Sequence, residues 1–305
     1  MPTTPAVFVG PQENPQLVEA VERGGGRVVA LAEAEAVVVS GGHGDLPELP
    51  AAVRWVQLPS AGIEAWVESG VVDSSRTWTS ATGAYSHAVA EGAVALLLAG
   101  VRGIGRAARL TTWDHAILDA AQTSLRGSTI AVVGAGGIGS AMIPAFVALG
   151  AEVLAVTRRG LPVEGAARTL PADRVGEVFA AADHVVLAAP ATAQTKALVG
   201  AEQLAAIGPQ GWLVNIARGS LVDTDALVSA LAEGTIAGAA LDVTDPEPLP
   251  DGHPLWSEPR CIITPHSTNP TPLQVAALAE RVAENVRRFA AGEELLGLVD
   301  PERGY

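Results

Sequence analysis

The sequence predicts an α/β protein in which a doubly wound parallel sheet is accompanied by a second, smaller α/β domain. Two observations predict this class. The chain has 305 residues, which is more than a single domain usually contains. Short apolar segments also alternate with helical patterns in two separate series, and strands that alternate with helices are typical of parallel sheets.

The first series runs from about residue 5 to residue 100. Its strand-like segments are "AVFVG", "EAVVVSGG", "AAVRWVQLP" and "RTWTSA", and the helical segment "QLVEAVERGGG" ends on glycines. A long helix is predicted to begin at Ser86 and to continue through "RAARL", and we expect it to connect the two domains.

The second series opens at "STIAVVGAGGIG" and continues through "AEVLAVT", "DHVVLAAP", "GWLVNIA", "TIAGAALDV" and "CIITPH". These six apolar segments predict a six-stranded doubly wound sheet. A last helix is expected at about Pro272 to Ala291, and the short segment after it should dock on the first domain. We therefore predict a smaller, flavodoxin-like domain from residues 1–100 and 286–305, and a second domain from residues 101–285.

Composition and charge restrict the class of partner. With 19 Lys and Arg against 33 Asp and Glu, the formal net charge is −14, which argues against a nucleic-acid partner or an anionic membrane surface. The amino terminus lacks the pattern of a secretory signal, and the longest apolar segment, Ala93 to Val101, is too short to cross a bilayer. The single cysteine, Cys261, excludes an intramolecular disulfide. We expect a cytoplasmic protein.

A glycine-rich turn follows the first strand of the second series. Gly134, Gly136 and Gly139 match G-x-G-x-x-G, with an apolar strand before them and a helical pattern after them. This context predicts a Rossmann dinucleotide site, in which the glycines allow a tight turn, backbone approach to a pyrophosphate and close helix packing. A P-loop is excluded because the chain's one lysine, Lys196, lies far from this turn.

The end of the next strand bears on the choice of dinucleotide. An Asp or Glu here would hold the ribose 2′-hydroxyl of NAD(H), but the position carries Thr157, followed by Arg158 and Arg159. Guanidinium groups suit a 2′-phosphate, and no carboxylate is expected there to repel it. The pattern favours NADP(H) over NAD(H); the alternative is that both arginines belong to a solvated loop.

Charged side chains follow three later strands of the same series. Arg218 comes after one strand, Asp242 and Glu247 after the next, and His266 ends the third. The carboxyl ends of parallel strands open on one edge of a doubly wound sheet, where ligands bind. We therefore expect these four side chains to converge in a site, although His266 could instead be a structural histidine at a strand end.

These motifs resemble those of the D-isomer-specific 2-hydroxyacid dehydrogenases. The resemblance rests on "GAGGIG", "LVNIARGSLVDTDALVSAL", "GAALDVTDPEPLPDGHPLW" and "IITPHSTN", which occur in the family's order and at similar spacing. It covers the whole chain and is strongest from about residue 127 to residue 270. No metal site is expected.

The resemblance implies a role for each of the four residues. Arg218 would bind the carbonyl and carboxylate of the substrate, Glu247 would orient and charge His266, and His266 would be the catalytic acid/base. Asp242 would lie near the nicotinamide carboxamide. Chemistry independently supports this set, because reduction of a 2-oxo acid requires a hydride donor, a proton donor and a cation for the carboxylate.

A loop of the first domain is a candidate for binding the substrate carboxylate. In "VQLPSAGIEAW", successive backbone N–H groups of Ser60, Ala61 and Gly62 could form an anion nest, and the family uses this loop similarly. The alternative is a plain strand-to-helix turn. Together with Arg218 and His266, these three residues are the predicted substrate-binding set.

The sequence thus predicts NADPH-dependent reduction of a small 2-oxo acid, of the glyoxylate or hydroxypyruvate type, to the D-2-hydroxy acid. The alternative is a dinucleotide-sensing protein similar to the transcriptional corepressors that share this architecture, without significant turnover. By resemblance, the enzyme would be a homodimer. The predicted cofactor-binding residues are Gly134, Gly136, Gly137, Ile138, Gly139, Thr157, Arg158, Arg159, Pro190, Ala217 and Asp242.

Overall fold

The computed structural model of the protein describes residues 4–119 and 122–300. Its strands are β1 (Ala6–Gly10), β2 (Arg27–Val28), β3 (Ala36–Val39), β4 (Trp55–Gln57), β5 (Thr77–Thr79), β6 (Thr129–Val133), β7 (Glu152–Thr157), β8 (Arg168–Pro171), β9 (His184–Leu187), β10 (Trp212–Asn215), β11 (Gly238–Leu241) and β12 (Cys261–Ile263). Its helices are α1 (Pro15–Arg23), α2 (Glu64–Glu68), α3 (Ser86–Val101), α4 (Ile104–Ala107), α5 (His115–Asp119), α6 (Gly137–Ala148), α7 (Gly176–Ala181), α8 (Ala201–Ile207), α9 (Thr224–Glu233), α10 (Pro254–Ser257) and α11 (Thr271–Ala291).

The described chain forms two compact units. The first contains the residues up to Tyr85 and those from Pro270 onward, and the second is Ser86–Asn269. The predicted boundaries at residues 100/101 and 285/286 fall inside α3 and α11. The predicted long helix is shorter than expected: α3 ends at Val101, and Gly103, with a φ of 63°, separates it from α4. Glycine adopts this left-handed conformation without steric cost, so it interrupts the helix.

The second unit is built on a seven-stranded parallel sheet in the order β12-β11-β10-β9-β6-β7-β8. The chain enters this sheet at β6, continues to β7 and β8 on one side, and then returns to form β9, β10, β11 and β12 on the other side. This path confirms the predicted doubly wound α/β class. Strands β9, β10 and β11 are buried at every residue, as expected for a parallel sheet covered by helices on both faces.

The prediction of six strands in this sheet was wrong, because it omitted β8. This strand has the sequence "RTLP", lies at the edge of the sheet beside β7 and buries only Leu170 of its four residues. An edge strand needs one neighbour and can end in proline, so it shows no continuous apolar pattern. Its hydrogen bonding to β7, rather than its own composition, makes it a strand.

The first unit contains a five-stranded parallel sheet in the order β2-β1-β3-β4-β5. This is the flavodoxin-like order. The two-residue β2 was not predicted, since both its residues are exposed. The chain after α11 pairs with this unit: Leu298 forms an antiparallel bridge with Thr79, and the N–H of Val299 donates to the Trp78 carbonyl.

A buried polar network holds that last segment in place. Asn285 of α11 donates from Nδ2 to Gln57 Oε1 (2.9 Å) and to the Leu296 carbonyl (3.0 Å), and its Oδ1 accepts from the Leu296 N–H (2.8 Å). Gln57 and Asn285 are fully buried, so these hydrogen bonds compensate the loss of water from both amides.

None of the helices within residues 4–119 and 122–300 has the length and apolarity needed to cross a bilayer.

We expect His184 to make stability depend on pH. His184 is 4% exposed in β9, and its Nδ1 accepts from the Trp212 N–H (3.2 Å). Burial lowers the pKa of His184 below its ordinary value of 6.5, although nearby Asp183 opposes this. Below about pH 6.5 the unfolded chain binds a proton that the folded chain does not, so stability is lost as pH falls from there toward the lowered folded value.

His184→Asn tests this dependence because the amide oxygen can replace the Nδ1 acceptor without titrating. Between about pH 7.5 and about pH 5.5, the urea midpoint of the wild type should fall more than that of the variant. Equal falls in the two proteins would show that His184 does not contribute to the dependence.

Candidate active site

The glycine-rich turn lies between β6 and α6. Gly134 has a φ of 94°, and a Cβ there would lie 2.4 Å from the Ala189 nitrogen. A Cβ on Gly139 would lie 2.4 Å from the Gly134 carbonyl oxygen, whereas one on Gly136 would meet no atom within 4 Å. The first and third glycines are therefore required by packing, and the second leaves open space beside the backbone.

The first turn of α6 fits a pyrophosphate. The N–H groups of Gly137, Ile138 and Gly139 donate to no partner among the described residues. Unpaired N–H groups at a helix amino terminus bind anions, and the space at Gly136 allows a phosphate to approach. The residues present thus fit a dinucleotide.

A cavity of about 940 Å³ lies beside this turn and is lined by Thr157, Arg158, Arg159 and Ser140, among others. Thr157 ends β7, and its Oγ1 is buried with no hydrogen-bond partner in the described structure. Both arginines are exposed. A buried hydroxyl without a partner beside two guanidinium groups is what a bound anion would satisfy.

Glu164 also lines this cavity, and the sequence analysis missed it. The expectation that no carboxylate stands near the two arginines considered only the strand end. The loop after β7 folds back, so that Glu164 lines the same cavity as Arg158 and Arg159. The sequence offered no signal for this approach, because it depends on the path of the loop between β7 and β8.

Pro190 and Ala217 follow the adjacent strands β9 and β10. The Pro190 carbonyl accepts from Thr195 Oγ1 (2.7 Å), and the Ala217 N–H donates to Asn215 Oδ1 (3.0 Å). Both residues therefore lie at the carboxyl edge of the sheet, and β9, which precedes Pro190, is the neighbour of the strand that leads into the glycine turn. Their contact with a cofactor remains a prediction.

Arg218 follows β10 at the same edge and is partly buried. Its guanidinium Nη1 donates to the Ala217 carbonyl (2.8 Å), and its own carbonyl accepts from Asn215 Nδ2 (2.9 Å). Asn215 is fully buried, so it fixes the backbone on both sides of the arginine. This arrangement holds the backbone of Arg218 at the carboxyl edge of the sheet.

The structure brings His266 and Glu247 into contact. His266 Nδ1 lies 2.7 Å from Glu247 Oε1, and the side chains are 56% and 43% exposed. A carboxylate at Nδ1 fixes the ring orientation and places the proton of the neutral ring on Nδ1. Nε2 is then the nitrogen that can exchange a proton with a ligand. Both residues line a cavity of about 340 Å³.

Asp242 directly follows β11 and lines the same cavity as this pair. It is 2% exposed, and its carboxylate accepts hydrogen bonds from residues 264–268, the loop that carries His266. Sequence reasoning missed Thr264 and Thr268 as partners, although the hydroxyls that flank the histidine in "TPHST" were a readable signal. Within the second unit, the structure thus gathers Asp242, Glu247 and His266.

The candidate carboxylate loop lies in the first unit. The N–H groups of Ser60, Ala61 and Gly62 donate to no partner that the structure describes, while Ser60 Oγ accepts from Trp66 Nε1 (3.0 Å). Three open N–H groups in succession suit an anion. Ser60 and Tyr85 both line a cavity of about 280 Å³. The Tyr85 hydroxyl donates to the Pro59 carbonyl, and burial raises the pKa of this hydroxyl above its ordinary value.

Comparison with known families agrees with this geometry. Residues 94–268 match the model of the D-isomer specific 2-hydroxyacid dehydrogenase NAD binding domain. The chain belongs to this family. Its members are NAD(P)-dependent oxidoreductases that interconvert 2-oxo and 2-hydroxy acids, and the chain is therefore an NAD(P)-dependent enzyme of this type.

Two relatives extend the similarity. The chain is 41% identical over 291 residues to a Corynebacterium melassecola protein named only as an uncharacterized protein in the proB 3′ region, and this covers 94% of the chain and 95% of the relative. It is 34% identical over 232 residues to a glyoxylate reductase of Thermofilum pendens, with 73% and 68% covered.

Two solved structures resemble the whole chain. A D-isomer specific 2-hydroxyacid dehydrogenase from Xanthobacter autotrophicus Py2, in complex with NADPH and MES, has a TM-score of 0.83 at 28% identity, covering 99% of this chain and 100% of the other. An NADPH-dependent glyoxylate/hydroxypyruvate reductase from Sinorhizobium meliloti, in complex with NADP and malonate, has a TM-score of 0.71 at 28% identity, with 98% of each chain covered.

Proposed function

We propose that the protein is an NADPH-dependent reductase of a small 2-oxo acid, of the glyoxylate or hydroxypyruvate type, and that His266 donates the proton. The observation that carries this proposal is the 2.7 Å contact between His266 Nδ1 and Glu247 Oε1 at the carboxyl edge of the sheet. This contact leaves Nε2 to serve a substrate. The glyoxylate reductases among the relatives support the substrate class.

The chain's own residues would perform binding and proton transfer. Arg218 would pair with the carbonyl oxygen and carboxylate of the oxo acid, and the open N–H groups of Ser60, Ala61 and Gly62 would also bind the carboxylate. A bound nicotinamide supplies the hydride that reduces the carbonyl carbon. His266 Nε2 would give its proton to the carbonyl oxygen, and Glu247 would stabilise the charged ring before the transfer.

The proposed preference for NADPH rests on the wall of the large cavity. The unpartnered Thr157 hydroxyl and the Arg158 and Arg159 guanidinium groups suit a 2′-phosphate. The NADPH complex of the Xanthobacter structure supports this choice. Glu164 in the same wall would oppose a phosphate, so NADH should remain a usable, weaker cofactor.

A panel of small 2-oxo acids, each assayed with NADPH and NADH, tests the proposed activity. Glyoxylate and hydroxypyruvate should be turned over fastest, and kcat/KM should be higher with NADPH. Tight NADPH binding without turnover of any acid would favour the alternative of a dinucleotide-sensing protein. Equal or faster turnover with NADH would remove the cofactor preference and leave the substrate class standing.

Thr157→Asp combined with Arg158→Ala should shift cofactor preference toward NADH. The carboxylate would accept from the ribose 2′-hydroxyl and repel the 2′-phosphate, while one charged partner of that phosphate is removed. Charged hydrogen bonds contribute about 1.5 to 3 kcal/mol each, so the kcat/KM ratio for NADPH over NADH should fall at least about tenfold.

Arg168→Ala provides the control for that double variant. Arg168 is an exposed arginine of β8 that pairs with Glu177 (3.3 Å) and does not line the cavity, so its loss should leave the ratio unchanged. An unaltered ratio in the double variant would show that Thr157 and Arg158 do not contact the 2′-phosphate.

The homodimer and the cytoplasmic location also remain predictions. The homodimer rests on family resemblance, and sedimentation equilibrium of the purified protein would measure it directly. A monomer at assay concentrations would contradict it without affecting the proposed chemistry, since Asp242, Glu247 and His266 all belong to one chain.

A further inference from the structure

We infer that Asp242 is a positioning residue for His266: its buried carboxylate holds the loop of residues 264–268 in the conformation that presents the imidazole to Glu247. The family resemblance placed Asp242 beside the nicotinamide, and this inference assigns its carboxylate a different task. It rests on the proposed function for the role of His266, and it adds a residue that acts through that histidine.

The carboxylate of Asp242 is occupied by this loop. Oδ1 accepts from Thr264 Oγ1 (2.5 Å), from the Ser267 N–H (2.8 Å) and from the Thr268 N–H (3.2 Å). Oδ2 accepts from the Thr268 N–H (3.2 Å) and from Thr268 Oγ1 (2.7 Å). Every one of these donors belongs to a residue within two positions of His266.

The backbone of Asp242 completes the arrangement. Its carbonyl accepts from the His266 N–H (2.8 Å), and its own N–H donates to the Asn215 carbonyl (2.9 Å) in β10. Asp242 therefore connects the loop to the sheet on both its main chain and its side chain. Because Asp242 is bonded to the buried sheet, its hydrogen bonds to residues 264–268 hold the loop in a fixed position.

The loop needs this support because His266 has an unfavourable backbone conformation. Its φ is 50°, in the left-handed region that residues with a Cβ rarely adopt. Left to itself, the segment would relax toward an extended or right-handed conformation and swing the imidazole away from Glu247. The hydrogen bonds to Asp242 on both sides of His266 prevent that relaxation.

The number of donors that the loop presents explains why the positioning residue is a carboxylate. Asp242 is 2% exposed, and a buried charge is tolerated when hydrogen bonds replace its hydration. A carboxylate accepts at both oxygens, whereas an amide would turn an NH₂ group toward the Thr268 N–H. Asparagine has almost the same shape but cannot accept all the donors that the loop presents.

Asp242→Asn tests the inference through three measurements on the full-length protein. We expect kcat to fall about 10- to 100-fold, since a displacement of about 1 Å in a catalytic group can cost about a hundredfold. The Kd for NADPH, measured by intrinsic fluorescence, should stay within about twofold. The imidazole ¹⁵N resonances of His266, assigned by their absence in His266→Gln, should lose the pattern of an Nδ1–H hydrogen-bonded to Glu247.

Two further variants keep the test independent of folding. Thr268→Val removes only the 2.7 Å hydroxyl contact and should lower kcat by a smaller factor, with the Kd for NADPH again unchanged. Asp245→Asn is the matched control and should behave as the wild type, because Asp245 is an exposed carboxylate three residues after Asp242 and outside the loop of residues 264–268. Asp242→Asn and Glu247→Gln combined should lower kcat much less than the product of their separate effects.

The outcomes separate this inference from the proposed function. A Kd for NADPH that rises in parallel with the loss of kcat, with unchanged His266 resonances, would overturn the positioning role and return Asp242 to the cofactor. Wild-type protein that turns over no oxo acid would instead refute the proposed activity. The His266 resonances would still test the positioning role in that case, because they require no substrate.

Discussion

His266→Gln is expected to lower kcat at least about a hundredfold, because glutamine has no group that can donate a proton to the nascent alkoxide and take it back in the reverse reaction. General acid catalysis typically contributes about 10² to 10⁴ in rate. The amide of glutamine can still accept or donate a hydrogen bond near Glu247, so the fold and the cofactor site should be retained. Steady-state kinetics with glyoxylate and NADPH measure the effect.

Two further variants are compared with His266→Gln. Glu247→Gln should lower kcat less than His266→Gln, since the acid remains and only its charge stabilisation and orientation are weakened. His115→Gln is the control: His115 is exposed and pairs with Asp119 (3.0 Å) on the short helix α5. Turnover of His266→Gln within a few-fold of the wild type would refute the acid role.

The parts of this molecule that sequence reasoning reached are those with a strong local signal. The glycine turn could be identified because packing requires glycine at 134 and 139, and an apolar strand and a helix adjoin it. The approach of Glu247 to His266 was expected because both follow adjacent strands, β11 and β12, whose carboxyl ends lie at one sheet edge.

The parts that it missed depend on tertiary contacts. The edge strands β2 and β8 are recognisable only through pairing with β1 and β7. The side-chain bonding of Asp242 depends on how residues 264–268 fold back over β11, and the left-handed backbone of His266 gives no signal in the sequence. Resemblance gave Asp242 a role near the cofactor, and only the hydrogen bonds reveal its attachment to the histidine loop.

Arg218→Ala is expected to lower kcat/KM for glyoxylate at least about a hundredfold. Arg218 follows β10 at the edge where His266 and Asp242 lie, and its backbone is held by the buried Asn215. We propose that the guanidinium binds both the carboxylate and the carbonyl oxygen of the oxo acid. Charge-assisted hydrogen bonds contribute about 1.5 to 3 kcal/mol each, so the loss of two should exceed a factor of 100.

Guanidinium in solution distinguishes a missing charge from a damaged fold. Added at millimolar concentration, it should restore part of the activity of Arg218→Ala and leave the wild type unchanged, because it can occupy the space that the truncated side chain vacates. Arg218→Lys should retain less activity than its positive charge alone would suggest, since an ammonium group cannot form the planar two-point contact. The Kd for NADPH should not change in either variant.

Kinetics of Arg218→Ala equal to those of the wild type would remove the guanidinium from the substrate site. The anion would then have to be held by the open N–H groups of Ser60, Ala61 and Gly62 alone.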